Sequence, residues 1–195
     1  MEITIFKNIK ETSAPFVRHV DIILDRIKSG KTRDLIDIIR KEKDKDKRNI
    51  LKQDLPAICF SGTFSKREDK AIERHSGLIC LDFDGFKTKK AMNEKKAKII
   101  KDKHVYSAFI SPSGNGLKVL IRIPPDVEAH CDYFKALEEY FGCAEFDKTC
   151  KNISRVCYES YDPDIYINTD SDLWEDKEDE EHQYMEMHTA RPTIR

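Results

Sequence analysis

HSGLICLDFDGF, from His75 to Phe86, decides how this chain is read. The apolar run Leu78 to Leu81 delivers Asp82 and Asp84 in the pattern Asp-Phe-Asp-Gly, and Gly85 then turns the backbone. Along a strand, positions i and i+2 share a face, so both carboxylates are expected to point the same way. Two anions so close repel each other, and a divalent cation or a shared proton between them relieves the repulsion.

Working outward, the elements on either side follow from periodicity. Lys89 to Lys101 carries Met92, Ile99 and Ile100 at helical spacing, and Val105 to Ser111 has strand composition. SPSGNG, residues 111–116, is a sharp turn into a further strand, Leu117 to Ile123, which Pro124 and Pro125 stop. Asp126 can cap a helix on which Val127, His130 or Cys131, Phe134, Leu137 and Phe141 recur at i+3 and i+4. A last strand is expected over Ile153 to Ser160. The order strand-helix-strand-strand-helix-strand is that of an α+β, ferredoxin-like or RRM-like βαββαβ core, spanning about 77–160. In that fold the first strand lies between the third and fourth, antiparallel to both. Asp82 and Asp84 are then expected to meet Lys118, at the start of the third strand, and Asp147, in the turn before the fourth. Arg155 in the fourth strand is expected at the same rim.

Upstream lies an N-terminal α/β extension. Glu2 to Phe6 alternates as a short strand, and a helix is expected over Pro15 to Lys28, with Phe16, Val20, Ile23, Leu24 and Ile27 on one face. Thr32 can cap a second helix bearing Leu35, Ile38 and Ile39, Leu55 to Phe60 reads as a strand, and Lys66 to Arg74 reads as a short polar helix. The string SGKT, Ser29 to Thr32, is not a P-loop: Asp25 stands where the first glycine belongs, and a helix leads in rather than a strand.

Composition bounds the class. The chain has 195 residues, 36% of them charged and 39% hydrophobic, with a net charge of −1, which describes a soluble protein of one domain or of one domain with an appendage. The near balance conceals basic blocks at Arg40 to Lys52 and Lys87 to Lys103 and an acidic run at Asp170 to Glu181. No signal peptide or membrane span is legible, so a cytoplasmic protein is expected. The six cysteines form no C-x-x-C pair and read as reduced, mostly buried thiols, not as a zinc site. His75 reads as a hydrogen-bonded loop histidine, His130 as a residue at the core edge, and Lys52 as a solvated lysine.

The grouped residue types suit nucleotidyl transfer. Asp82, Asp84 and Asp147 offer hard oxygen ligands for Mg2+ or Mn2+, and two such ions can hold the attacking and leaving oxygens of an in-line displacement. Lys118 and Arg155 match triphosphate charge, and the turn of Ser111, Ser113, Gly114, Asn115 and Gly116 can approach a phosphate with backbone N–H groups. A haloacid-dehalogenase-type phosphatase also opens with Asp-x-Asp-Gly, with Asp82 as nucleophile, Asp84 as acid, Ser111 as the second-motif hydroxyl and Lys118 as phosphate clamp. That fold needs further parallel βα units. A third reading is a nucleic-acid-binding replication module without turnover.

LICLDFDG, SPSGNGLKVLIRI and FDKTCKNISR together resemble the three-motif series of the archaeo-eukaryotic primase, or primase-polymerase, superfamily, and more closely its VirE N-terminal-domain family. Agreement runs from LPAICFSGTF at Leu55 to Asn168. The resemblance implies a single domain over 1–168, with 1–54 as extension and 55–168 as motif-bearing core; by composition, 169–195 reads as a weakly structured acidic tail that contains Trp174. It implies metal-dependent joining of nucleoside triphosphates on template DNA in the replication of a bacterial, phage or mobile element, with Asp82 and Asp84 as the first motif and Asp147 as the acid of the third. Many members place a histidine where this chain has Lys118, which keeps the phosphate-binding charge. Relatives often carry a helicase-type ATPase; with no Walker A motif here, such a partner is expected on a separate chain.

Overall fold

The computed structural model describes residues 1–176. In chain order the elements are β1 (Glu2–Phe6), β2 (Phe16–His19), α1 (Val20–Ser29), α2 (Arg33–Lys41), α3 (Lys45–Lys52), β3 (Ala57–Cys59), β4 (Gly62–Phe64), β5 (Ile72–His75), β6 (Leu78–Phe83), α4 (Lys89–Ile99), β7 (Val105–Ile110), β8 (Leu117–Arg122), α5 (His130–Phe141), β9 (Cys157–Tyr158) and β10 (Tyr166–Ile167). They form an α+β architecture around two antiparallel four-stranded sheets, ordered β2-β1-β3-β9 and β10-β7-β8-β6, with β4 and β5 as a separate ribbon.

Alternation along β6 sorts its side chains to two cores. Ile79, Leu81 and Phe83, with Val119 and Ile121 of β8, pack under α4 and α5 against Met92, Phe134 and Leu137. Leu78 and Leu120 face the other way and meet Ile3, Ile5, Ile58 and Phe60 of the N-terminal sheet, which α1 covers with Val20, Ile23, Leu24 and Ile27. Cys80 packs against this second core, and Asp82 continues the same face by the period-two rule. The open face expected of a ferredoxin-like sheet is therefore roofed by a second sheet, and the acidic pair opens into the space between them.

Several local expectations are revised. Phe16 to His19 is not the first turn of a helix but an edge strand paired with β1, and Phe16 is 51% exposed; α1 begins only at Val20. On α2 the buried face is Ile36 and Ile39, while Ile38 is exposed. Lys66 to Arg74 forms a single short 3-10 turn and then β5 rather than a helix, because β4 offers a ladder that a nine-residue polar segment cannot match by helix propensity alone. The expected last strand is reduced to Cys157–Tyr158 and pairs with β3 of the other sheet. Beside β6 its place is taken by a single antiparallel bridge, Phe83 to Phe146, flanked by Asp84 N–H to Glu145 O at 2.7 Å and Asp147 N–H to Asp82 O at 2.8 Å.

Ser171 to Asp176, assigned to the tail by sequence, lies against the core. Trp174 is 4% exposed, its ring packed against His104 and Tyr140, and its backbone N–H donates to Arg122 O at 2.8 Å. The remainder of the acidic tail, 177–195, lies outside the described residues. Among the described residues no helix is long and apolar enough to cross a membrane.

Candidate functional site

Three neighbouring backbones set the site. Asp82 lies directly opposite Lys118 in the β6–β8 ladder, and the bridge on the other side of β6 puts Asp147 opposite Asp82. Lys118, Asp82 and Asp147 thus form one row across β8, β6 and the bridged segment at 146–147, with side chains on the face toward the N-terminal sheet. Lys118 Nζ donates to Asp82 Oδ2. Asp82 is 7% exposed, and its second oxygen, Oδ1, is buried with no hydrogen-bond partner.

Around this row is a cleft of about 220 Å3, lined also by Asp84, Lys52, His130, Cys150, Asn152, Arg155 and Cys157. A second chamber of about 320 Å3 adjoins it through Lys52, Asp84, Lys118 and Tyr158. Its walls are Lys45, Arg48, Asn49 and Lys52 on one side and Ser111, Pro112, Ser113 and Asn115 on the other. The first four recur at i, i+3, i+4 and i+7, one face of α3, whose start is fixed by Asp44 accepting from the N–H groups of Asp46 and Lys47.

The turn between β7 and β8 is held from outside. Gly114 takes the left-handed conformation (φ +76°) against the Arg40 side chain, and Arg40 Nη2 donates to Ser111 O at 3.3 Å and Tyr161 O at 2.7 Å. Gly116 has no room for a side chain: a Cβ there would strike Asp84 Oδ1 and lie 2.8 Å from Phe83 O and 3.1 Å from Ser111 Oγ. Ser111 Oγ is buried without a partner.

The charges are strongly perturbed. Burial lifts the Asp82 carboxyl above its ordinary value, Lys118 opposes that rise, and the nearby charges of Asp84 and Asp147 add to it. Lys118 is held above the usual lysine range: burial disfavours its charge, but Cys157, Asp82 and Cys80 outweigh it. For Asp147 burial works upward, yet donation from the Thr149 hydroxyl at 2.7 Å, its N–H at 2.9 Å and the Cys150 thiol at 3.2 Å, with Arg155 nearby, leaves it below the normal carboxylate value. Burial, and then the bond to Asp147, push the Cys150 thiol up to about 12. Lys52 is lowered by burial and by the positive charges of Arg48 and Lys118 against the pull of Asp84.

Of the residues singled out by sequence, Asp82, Asp147, Lys118 and Arg155 share the first cleft, and Ser111, Ser113 and Asn115 line the second chamber with Lys118. Asp84 lies past the strand end, exposed, at the border of the two chambers, and it is not among the donors that cluster with Asp82. Arg155 sits in the loop before β9, not within a strand. Residues that sequence reading set aside also line these walls: Lys52, His130 and Cys150. For Lys52 the face it shares with Lys45 and Arg48 was a legible signal; for Cys150 only its place in FDKTC was.

His130 is tied to His75 by a ring-to-ring hydrogen bond of 3.0 Å. Gly77 N–H donates to His75 Nδ1 at 2.9 Å, so the His75 proton lies on Nε2 and is donated to His130 Nδ1. Neutral His130 then carries its own proton on Nε2.

The donor set fits a divalent cation. One donor atom each from Asp82, Asp147 and Cys150 lies within 4.8 Å of the others, and the orphaned Asp82 Oδ1 lacks a partner that a cation would provide. Such a fold and site define a two-sheet α+β domain with an acid-lysine row in its cleft and a basic chamber beside it. The antiparallel pairing of β6, β7 and β8 does not provide the parallel βα units of a haloacid-dehalogenase phosphatase. The chain belongs to the family described as BT4734-like, N-terminal domain, whose model matches residues 50–167. That is the family shown, where the motifs suggest the VirE N-terminal-domain family. No curated protein matches. Among solved structures the chain is similar to the primase-polymerase AEP domain of cyanophage S-2L, at 13% identity and a TM-score of 0.45, over 89% of this chain and 83% of that one.

Proposed function

We propose that this chain is a divalent-metal-dependent nucleotidyltransferase of primase-polymerase type, acting in the cytoplasm on nucleoside triphosphates and template DNA during replication of a bacterial, phage or mobile element. The motif kinship with the VirE N-terminal-domain family is part of this reading. The observation that carries it is the Lys118-Asp82-Asp147 row, three charged groups distant in sequence brought onto one face of the sheet, with Asp82 Oδ1 left unpartnered.

Asp82 and Asp147 would hold Mg2+ or Mn2+, with Asp84 at the cleft mouth facing the substrate side. When bound, such ions lower the charge barrier between the attacking oxygen and the triphosphate. Lys118, fixed by Asp82, is positioned to meet a phosphate oxygen without giving up its proton, since its pKa lies above the ordinary lysine value. It serves as a charge clamp rather than a proton carrier. The turn sets Ser113 and Asn115 along the second chamber, the Gly114 N–H donating to Ser111 O at 2.9 Å, and Lys45, Arg48, Lys52 and Arg155 supply positive charge for the triphosphate or the template backbone.

Incubation with labelled deoxynucleotides, primed and unprimed template DNA and Mn2+ tests the reading. Extension that Asp82→Ala abolishes is the expected result. Salt-sensitive DNA binding with no extension under either metal would instead identify a non-catalytic replication module, and hydrolysis of an aryl phosphate in place of extension would overturn the assignment.

A further inference from the structure

The third donor beside Asp82 and Asp147 is a sulfur. Cys150 is buried, and its Sγ lies 3.2 Å from Asp147 Oδ2. The short turn Phe146 to Cys150 builds this contact. Thr149 occupies Asp147 Oδ1 through both its N–H and its hydroxyl, which leaves Oδ2 for Cys150 and for whatever else enters the cleft. Asp82 Oδ1, buried and unpartnered on a side chain 7% exposed, lies on the same wall. The three donor atoms fall within 4.8 Å of one another, a span that one ion can bridge after small side-chain rotations.

We propose that Cys150 is a direct ligand of the metal held by Asp82 and Asp147, and that this sulfur shifts the site's preference toward the borderline-soft ions Co2+ and Zn2+ and away from hard Mg2+. The inference rests on the metal-dependent reading of the cleft and goes beyond it by naming the ligand that sets which metal is used. Hard Mg2+ takes oxygen ligands and gains little from a thiolate, whereas the later first-row ions accept sulfur readily. On binding, the Cys150 thiol loses its proton to solvent, with Asp147 Oδ2 as the adjacent acceptor on the way out, and the sulfur lone pair forms the new bond to the ion. No electrons are transferred.

Cobalt reports the bond directly. The full chain is titrated anaerobically with Co2+ and followed by absorption for the near-ultraviolet thiolate-to-cobalt charge-transfer band, alongside calorimetric titrations with Mn2+, Zn2+ and Mg2+. The wild type is expected to develop the band at one equivalent. Cys150→Ser should lack it and bind Co2+ and Zn2+ about tenfold or more weaker, with Mg2+ affinity little changed. Cys150→Asp should shift preference toward Mg2+, which guards against loss of fold being mistaken for loss of a ligand. Binding that Asp82→Asn weakens but that never produces the band, or a band that persists in Cys150→Ser, would overturn the sulfur ligand and leave the metal reading standing. Failure of the wild type to bind any of these ions would overturn both.

Discussion

Lowering the pH from about 7 to about 5 should destabilise this protein through the buried His75–His130 pair. An unfolded histidine titrates near 6.5, whereas burial, aided by the charge of His75 and opposed by Asp69, pushes folded His130 down to about 3. His75 is lowered by burial against the weaker pull of Asp126. A base whose folded pKa is depressed stays neutral in the native state while the unfolded chain takes up a proton. Stability is therefore present above the unfolded pKa and lost as pH falls through the window from about 6.5 to about 3. Each pH unit in the linear part of that window costs about 1.4 kcal/mol per residue, so by pH 5 His130 alone removes about 2 kcal/mol. His75 adds to the loss with the same sign. The comparison variant is His130→Asn, whose amide oxygen can accept from His75 Nε2–H but cannot titrate. Urea unfolding across this pH range should show the wild type losing about 2 kcal/mol more than the variant. Parallel curves for the two proteins would refute the argument, because the difference depends only on a proton that native His130 does not accept.

Three further outcomes follow from the packing. Gly116→Ala drives a methyl group into the Asp84 carboxylate and against Phe83 O, so chemical denaturation should show a loss of about 1–3 kcal/mol, with weakened nucleotide affinity in the same sample. Trp174→Ala removes the ring that seats the 171–176 segment on His104 and Tyr140 and should cost about 3 kcal/mol in urea unfolding; a loss within error would mean the segment adds nothing to the core. Arg40→Ala frees the Ser111 carbonyl and the support behind Gly114, and should raise the nucleotide dissociation constant measured by calorimetry while leaving Mn2+ affinity unchanged.

Much of the core was legible because its signals are local. The strands at 78–83, 105–110 and 117–122 and the helix at 89–99 fall where alternation and helical spacing put them, and the tight turn before Leu117 fixes the β7–β8 hairpin. Errors concentrate where a segment's state is set by an edge or partner that its own periodicity does not signal. Phe16 to His19 has the apolar content of a helix start but becomes a strand because β1 offers it a free edge, and Cys157–Tyr158 joins β3 rather than β6. Trp174 sits in an acidic stretch whose composition reads as solvated, yet a pocket formed by His104 and Tyr140 takes it in.

The sequence by itself determined that Asp82 and Lys118 would meet, since an apolar strand ending in Asp-Phe-Asp-Gly and a hairpin opening with Leu-Lys leave few registers that keep both apolar faces buried. The same topology led to the expectation of Asp147 at that rim; only the tertiary structure decided that Cys150 stands beside Asp82 and Asp147 while Asp84 is left at the mouth, and that α3 and His130 complete the walls. The reason is physical: periodicity reports which face of an element is buried, but which side chains come within a few ångströms across a cleft depends on how two sheets pack, and no local pattern encodes that distance.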